Sequence, residues 1–228
     1  MIGLYGVVDE PEAALAACRK LSDDPPPETL CLIGTSRVSC VGRRCTTRDV
    51  PTDSRALVGH DAVLRRIMTV STVVPFRYGT VLGEAEAERD LGGREEAFED
   101  LLAWLRGRVE LALRARSSAA RPECSHSSGR SYLMKLRKLA ADPALTGLHR
   151  ALTSWSVAAV AAPDRPGGIK ASYLVERADV DAFKEALEAH ARAGGIEGVS
   201  LTGPWAPYSF VDRDPAAAGR EKGATNGA

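Results

Sequence analysis

The sequence has no excess of charge of either sign and no long hydrophobic run. Its 228 residues contain 30 Lys and Arg against 30 Asp and Glu, so the formal net charge is zero. A balanced charge gives no general electrostatic reason to bind nucleic acid or an anionic membrane surface. No apolar run approaches the roughly 18 residues that a helix needs to cross a bilayer. We therefore expect neither nucleic acid nor a membrane as a partner.

The first residues also lack the features of a secretory signal. They read MIGLYGVV and then turn acidic, without a basic stretch or a small-residue cleavage site. We therefore expect a cytoplasmic protein. The 44% hydrophobic and 26% charged residues are typical of a globular chain, and this length suffices for one large or two small domains.

The cysteines follow no disulfide or zinc-binding pattern. Their number is odd and their spacing is irregular: Cys18, Cys31, Cys40, Cys45 and Cys124. Cys40 and Cys45 flank Gly42-Arg43-Arg44, where cationic neighbours could favour a thiolate. The simpler interpretation is that all five cysteines are reduced thiols, with Cys18 and Cys31 buried.

Motifs for metal binding, nucleotide binding and catalysis are absent. The histidines are scattered without ligand spacing: His60, His126, His149 and His190. The serines around His126 form a polar run without a nucleophile elbow, and neither a GxGxxG motif nor a P-loop occurs. We therefore expect no metal, no cofactor and no enzymatic activity.

The first half of the chain alternates short apolar segments with helical patterns. Residues 2–8 suit a buried strand, and Pro11 begins a helix that ends before the acidic, proline-rich residues 23–27. Next we predict two strands, an irregular loop, a helix and a strand containing Pro75: residues 30–35, 37–41, 42–55, 57–69 and 73–76. This order is strand-helix-strand-strand-helix-strand.

A helical region and a second set of strands follow. Residues 84–91 and 94–105 are predicted to form connecting helices, ended by Gly107. Residues 108–116 alternate strictly between apolar and other side chains, which indicates a half-buried strand. After a Ser-rich loop at 117–128, we predict two helical pieces, two strands, a third helix capped by Asp179 and ended by Gly194-Gly195, and a last strand: residues 132–139, 143–152, 155–159, 169–175, 179–193 and 197–202.

Both halves therefore follow the βαββαβ, or ferredoxin-like, order, and the predicted class is α+β with antiparallel sheets and helices. The second half supports this order better, because its strands alternate more strictly. We predict an N-terminal α+β domain at residues 1–80, connecting helices at 81–107 and a C-terminal ferredoxin-like domain at 108–212. Residues 213–228 contain no large apolar side chain and are predicted to be a disordered tail.

Two segments differ from ordinary core sequence, VPFRYGTV at 74–81 and LTGPWAPYSF at 201–210. In the second, glycine and two prolines restrict a backbone that displays aromatic rings at low entropic cost. The candidate interaction or structural residues are Pro75, Arg77, Gly79, Thr80, Gly203, Pro204, Trp205, Pro207, Tyr208 and Phe210.

The roles of these residues have alternatives. Arg77 could pair with a partner's carboxylate, but a pair within the chain, with an acid such as Glu84 or Glu110, is favoured. Gly79 most simply supplies a backbone angle that the turn requires. The three aromatic rings could form an exposed docking patch or could pack the end of the second sheet against the first domain.

These landmarks together resemble the gas vesicle GvpF/GvpL family over residues 2–211. The matching segments, in order, are Tyr5-Gly6, HDAV at 60–63, VPFRYGT at 74–80, VELALR at 109–114, GRSYL at 129–133, YLV at 173–175 and LTGPWAPYSF at 201–210. Residues 42–48 are more basic and residues 134–152 shorter than the family pattern. The resemblance implies a cytoplasmic, gas vesicle-associated accessory protein. Its expected partners are the small hydrophobic shell protein, GvpA, and other accessory proteins.

Shell-protein binding would use open sheet edges or amphipathic helices, because the shell protein's exposed apolar surface aggregates if it is left bare. The alternative is a small-ligand-binding regulatory protein built from paired ferredoxin-like domains. That function needs a polar, glycine-rich pocket, and only residues 163–168 resemble one. Fold alone does not decide between these functions.

Overall fold

The computed structural model describes residues 1–21, 26, 29–48, 50–51, 53–116, 142–164, 168–196 and 198–212. These residues form two compact units. The first unit is Met1–Gly107 together with residues 206–212, and the second is Arg108–Trp205. The expected Ser-rich loop, the expected helix at 132–139 and the expected disordered tail at 213–228 lie outside the described residues.

The first unit is built on an antiparallel sheet. Its strands are β1 (Ile2–Val8), β2 (Leu30–Gly34), β3 (Ser39–Arg44), β4 (Val73–Pro75) and β5 (Val81–Leu82). Their spatial order is β2-β3-β1-β4, and β5 pairs with the start of β1. The helices are α1 (Pro11–Cys18), α2 (Ser54–Ile67), α3 (Glu84–Gly92) and α4 (Glu95–Leu105).

Helices α3 and α4 belong to this first unit and do more than connect the two halves. Helix α3 contacts β2, and α4 contacts β1 and β4. The apolar stripe of α4 is buried: Phe98, Leu101, Leu102 and Leu105. Arg37 also joins α4 to the turn after β2 through ion pairs with Glu95, at 3.6 Å, and Glu99. The almost continuous burial of β1 agrees with a strand covered on both faces.

The second unit contains another antiparallel sheet. Its elements are β6 (Arg108–Arg116), α5 (Pro143–Thr153), β7 (Ala158–Pro163), β8 (Gly168–Glu176), α6 (Val180–Ala193) and β9 (Gly198–Trp205). The spatial order β7-β8-β6-β9 repeats that of the first four strands of the other sheet. The described elements therefore run β-α-β-β-α-β, the order expected from the sequence. The class is α+β, as predicted.

The alternation along β6 decides which of its side chains enter the core. Val109, Leu111, Leu113 and Ala115 are all buried. Leu111, Leu113 and Ala115 pack with residues of β8, α5 and α6, including Tyr173, Leu152 and Phe183. The predicted strand at 155–159 begins later, at Ala158, because Trp155 lies in the turn after α5 and is 46% exposed. Asp179 precedes α6 as expected, but its side chain makes no capping hydrogen bond.

The second unit ends at Trp205, earlier than the predicted domain boundary at residue 212. Residues up to Trp205 pair within the second sheet, whereas residues 206–212 group with the first unit. The physical reason is burial, since Ala206 and Phe210 lose nearly all solvent contact there. No helix in the described part of the chain is long and apolar enough to span a membrane.

Candidate functional site

Helix α2 positions the residue at which the first unit's landmark segments meet. Asp53 starts the helix by accepting a hydrogen bond from the Ala56 backbone N–H at 2.9 Å. The helix therefore begins three residues before the predicted start at residue 57. Its buried stripe consists of His60, Val63, Leu64 and Ile67. His60 thus lies on the same face as the apolar residues that anchor α2.

His60 brings together residues that are far apart in the sequence. Its Nε2 atom lies 3.0 Å from the hydroxyl oxygen of Tyr208 in the closing segment. Its ring centroid is 5.1 Å from that of Tyr5 and 5.3 Å, edge-on, from that of Tyr78. Only 8% of His60 is exposed. The 74–80 segment and the closing segment therefore share one buried histidine.

The surroundings of His60 favour a neutral ring. Burial lowers the pKa of His60, and the positive charge of Arg43 acts in the same direction. The Phe76 backbone hydrogen-bonds to the ring, and this bond and the charge of Asp61 raise the pKa, but burial is the larger effect. The Phe76 N–H donates to the Tyr5 carbonyl at 2.8 Å. The Phe76 group that bonds to the ring is therefore its carbonyl, which accepts the proton of one ring nitrogen. Nε2 then accepts from Tyr208, whose own pKa is raised by burial.

The three aromatic residues of the closing segment do not form one patch. Phe210 is fully buried in the first unit, with its ring centroid 6.3 Å from that of Trp104. Trp205 lies in β9 of the second unit, opposite Glu110, and its Nε1 donates to Thr202 Oγ1 at 3.1 Å. Tyr208 and Phe210 hold the closing segment in the first unit, and Trp205 is partly exposed.

Arg77 forms an internal ion pair, but with a different partner from the one predicted. Its Nη2 atom lies 3.3 Å from Asp212, and the two side chains are 84% and 81% exposed. Glu84, one expected partner, instead pairs with Arg44 at 3.4 Å. The prediction of Glu84 or Glu110 was wrong because sequence proximity does not show which acids the folded chain brings near Arg77.

The turn after Arg77 and the bulge at Gly203 explain the two glycines. Gly79 has φ +88°, which confirms the predicted need for glycine, and Thr80 Oγ1 donates to the Arg77 carbonyl at 2.8 Å. Gly203 has φ +123°, and a Cβ there would lie 2.7 Å from the Glu110 carbonyl oxygen. The β6–β9 register shifts at this point, between Glu110 and Ala112. Pro75, Pro204 and Pro207 lie respectively at the end of β4, within β9 and just before the last turn.

A cleft lies beside His60, lined by residues of β1, β3 and α2. Its volume is about 310 Å³. Gly3 and Tyr5 of β1, Arg43 of β3, and Gly59 of α2 line it together with His60 and Tyr78. We call it the His60 cleft. Sequence reasoning missed this site, because it treated His60 as one of four scattered histidines. The one available signal was its helical spacing from Val63, Leu64 and Ile67.

Burial makes Cys18 and Cys40 unreactive. Cys18, Cys31, Cys40 and Cys45 are free. Burial raises the pKa of Cys18 to about 11 and that of Cys40 to about 12. The alternative of a thiolate at Cys40, favoured by Arg43 and Arg44, is therefore wrong, because burial has the largest effect on the pKa of this thiol and raises it. Cys124 lies outside the described residues. The described His, Cys, Asp and Glu side chains form no group of three that could hold a metal ion.

Comparisons with known proteins agree with this architecture. The family described as "Gas vesicle synthesis protein GvpL/GvpF" matches residues 2–212. Gas vesicle protein L from a Streptomyces species is 31% identical over 196 residues, covering 74% of this chain and 73% of that protein. Gas vesicle protein F2 from Halobacterium salinarum is 26% identical over 212 residues, covering 91% of this chain and 90% of that protein.

Solved structures share the fold. The crystal structure of GvpF from Anabaena has a TM-score of 0.71 and 14% identity, covering 93% of this chain and 96% of that one. GvpF from Microcystis aeruginosa has a TM-score of 0.69 and 17% identity, covering 93% of this chain and 99% of that one. The family match over nearly the whole sequence, together with the relative that is 31% identical, shows that this chain belongs to the gas vesicle GvpL/GvpF family.

Proposed function

We propose that this protein is a cytoplasmic accessory factor that binds the small hydrophobic shell protein, GvpA, and supports gas vesicle assembly. The role is binding and not catalysis, and it is carried out together with other gas vesicle proteins. Family membership supports a role in the gas vesicle. The edges of the two sheets provide the means of binding.

The edge strands of both sheets carry no charged side chain. In the described part of the first sheet, β2 is at one edge and β4 and β5 are at the other, whereas β7 and β9 are at the edges of the second sheet. Their sequences, in chain order, are LCLIG, VVP, VL, AAVAAP and GVSLTGPW. The inner strands β3, β6 and β8 carry the Arg, Lys and Glu residues of these sheets. This single observation carries the proposal.

Uncharged edges suit the addition of a partner's strand. An edge strand presents unpaired backbone N–H and C=O groups, and proteins that avoid edge pairing place charges, especially Lys, on such strands. A partner with apolar β-strands can pair with an uncharged edge through its backbone and pack its side chains against the sheet. The shell protein has the required apolar chemistry.

Strand β7 is the edge best suited to this pairing. Ala161 and Ala162 are exposed near its end, and Trp155 offers an exposed apolar ring in the turn just before it. Pro163 ends the strand, so the pairing would be short, and β7 itself has only six residues. A short pairing of this kind holds the shell protein reversibly, as an assembly factor requires.

The test places a positive charge on this edge. Ala161→Lys is expected to reduce shell-protein capture by about tenfold or more, because pairing would remove the ammonium group from water. Ala189→Lys is the matched control, since Ala189 is exposed on α6 in the same unit and the chemical change is identical. Both variants are compared with the parent by co-purification with the shell protein and by thermal unfolding.

The outcomes separate the site from the function. If Ala161→Lys alone loses the shell protein while both variants unfold as the parent does, pairing at β7 is supported. Equal capture by all three proteins would overturn β7 as the contact. Failure of the parent protein itself to capture the shell protein would overturn the proposed function.

The alternative role, a small-ligand-binding regulatory protein, is favoured by one observation, the His60 cleft in the first unit. Residues 163–168, the segment that suggested this role in the sequence, are only partly described and remain a prediction. A ligand in the His60 cleft is compatible with shell-protein binding at β7, because the two sites use different units.

A further inference from the structure

Two glycines that packing does not require, Gly59 and Gly3, leave the His60 cleft open. Ala56, Gly59 and His60 line it at helical spacing i, i+3 and i+4, which places them on one face of α2. A Cβ atom added at Gly59 would meet nothing within 4 Å. Glycine inside a helix is less favourable than alanine by about 0.8–1.0 kcal/mol. Packing therefore does not explain why position 59 is glycine.

Gly3 repeats this pattern on the opposite wall. A Cβ added there would make only ordinary contacts, 3.8 Å from the Arg43 carbonyl oxygen and 3.9 Å from Val81. Gly3 pairs directly with Arg43 across β1 and β3, so no side chain from β1 covers the arginine at this position. Glycine without a steric requirement commonly marks a close approach of a ligand to the backbone.

Arg43 supplies a charge inside the cleft. It is half-buried, and no described carboxylate lies within ion-pairing distance of it. Its neighbour Arg44 differs, since it is exposed and pairs with Glu84 at 3.4 Å. The acidic residue that lines the cleft, Asp53, already accepts a hydrogen bond from the start of α2. Arg55 adds a second positive charge at the exposed rim.

His60 and Tyr78 have hydrogen-bond partners other than this arginine. Burial lowers the pKa of the His60 ring, which hydrogen-bonds to Tyr208. The Tyr78 hydroxyl donates to the Pro51 carbonyl at 2.5 Å. A half-buried guanidinium in such a setting favours a planar anion that can accept two parallel hydrogen bonds.

We propose that the His60 cleft binds a carboxylate group through Arg43. A volume of about 310 Å³ is at the small end for ligand sites, so it fits a small carboxylic acid or one acidic side chain and not a nucleotide. The carboxylate lies over Gly3 and Gly59, with its charge matched by Arg43 and by Arg55 at the rim. This site lies in a different unit from the shell-protein contact proposed at β7.

The experiment titrates the full-length protein with succinate, followed by NMR of the backbone amides and the His60 ring. Binding is expected to shift Gly3, Gly59 and His60 signals together. Arg43→Met should weaken succinate binding by about tenfold or more, as loss of a charged hydrogen bond does. Arg44→Met is the matched control, because it removes the neighbouring arginine that faces Glu84. Gly59→Met should also weaken binding, by filling the cleft, while it strengthens the helix.

Two further assays identify the ligand. Titration with inorganic phosphate tests whether the cleft selects carboxylates over other anions. Shell-protein capture tests whether the carboxylate belongs to a partner protein. Succinate binding that needs Arg43 and an open position 59, but not Arg44, supports a free carboxylic acid as the ligand. If succinate fails but Arg43→Met alone loses a partner that Arg44→Met retains, the carboxylate belongs to that partner's side chain. Equal losses in both arginine variants, phosphate binding as tight as succinate binding, or no binding by either route would overturn the proposal. Thermal unfolding of each variant confirms that the fold is retained.

Discussion

Replacing Phe210 by alanine tests whether the closing segment is a structural part of the first unit. The Phe210 ring is fully buried and lies against Trp104 of α4. Truncation of a buried phenylalanine usually lowers the unfolding free energy by about 3–5 kcal/mol. We expect about 3 kcal/mol here, because residues 206–212 form a short segment that can move to fill part of the space.

Trp205 provides the comparison within the same segment. Its ring is partly exposed, and its Nε1 atom donates a hydrogen bond to Thr202 within β9. We expect Trp205→Ala to lower the unfolding free energy by about 1–2 kcal/mol, and in the second unit rather than the first. The value of 3–5 kcal/mol that a core ring would give therefore applies to Phe210 and not to Trp205.

The assay must follow the first unit alone, because two units need not unfold in one transition. Trp104 is in that unit, and the only other tryptophans are Trp155 and Trp205. Phe210→Ala is therefore introduced into a Trp155→Phe, Trp205→Phe background and unfolded in urea while Trp104 fluorescence is recorded. In thermal unfolding of the same variant, each kcal/mol corresponds to about 4–8 °C in Tm for a domain of roughly 100 residues, so Tm should fall by more than about 10 °C.

Two results would refute this reasoning. A first-unit unfolding free energy within about 1 kcal/mol of the parent would mean that Phe210 is not core. A larger loss for Trp205→Ala than for Phe210→Ala would mean that the closing segment is anchored in the second unit instead.

Three further predictions concern Gly203 of the second unit and His60 and Arg77 of the first. Gly203→Ala should lower the unfolding free energy of the second unit in urea by about 2 kcal/mol or more, because its Cβ would lie 2.7 Å from the Glu110 carbonyl oxygen. An unchanged unfolding free energy would contradict this close contact. The lowered pKa of His60 means that the unfolded chain binds its proton more readily. The unfolding free energy of the first unit should therefore fall as pH drops below about 6.5, and His60→Gln should flatten that slope. Arg77→Ala should change stability by less than about 0.5 kcal/mol, since its pair with Asp212 is exposed; a larger loss in thermal unfolding would show a role beyond this pair.

Local sequence patterns predicted most of the secondary structure. The strict alternation of residues 108–116 predicted β6 and its buried face, and Gly194-Gly195 predicted the end of α6. These features are local, because the spacing of apolar residues and the backbone freedom of glycine act within a few positions. Trp155 shows the limit, since its alternation with Val157 continued the strand pattern into a turn.

The candidate site required contacts that no local pattern specifies. His60 and Tyr208 are separated by 148 positions, yet their side chains share a hydrogen bond. Arg77 pairs with Asp212 and not with an acid closer in the sequence. Such pairs depend on where the second sheet ends and where the chain goes next, which periodicity does not encode.

By itself, the sequence determined the α+β class, the order of the described strands and helices except β5, and, through VPFRYGT and LTGPWAPYSF, the resemblance to the gas vesicle family. Only the tertiary structure decided that residues 206–212 join the first unit, that His60 lies where the landmark segments meet, and that a cleft with Arg43 opens beside it. The physical reason is that burial of Phe210 and His60 comes from packing between distant segments, whereas periodicity reports only which face of an element is apolar.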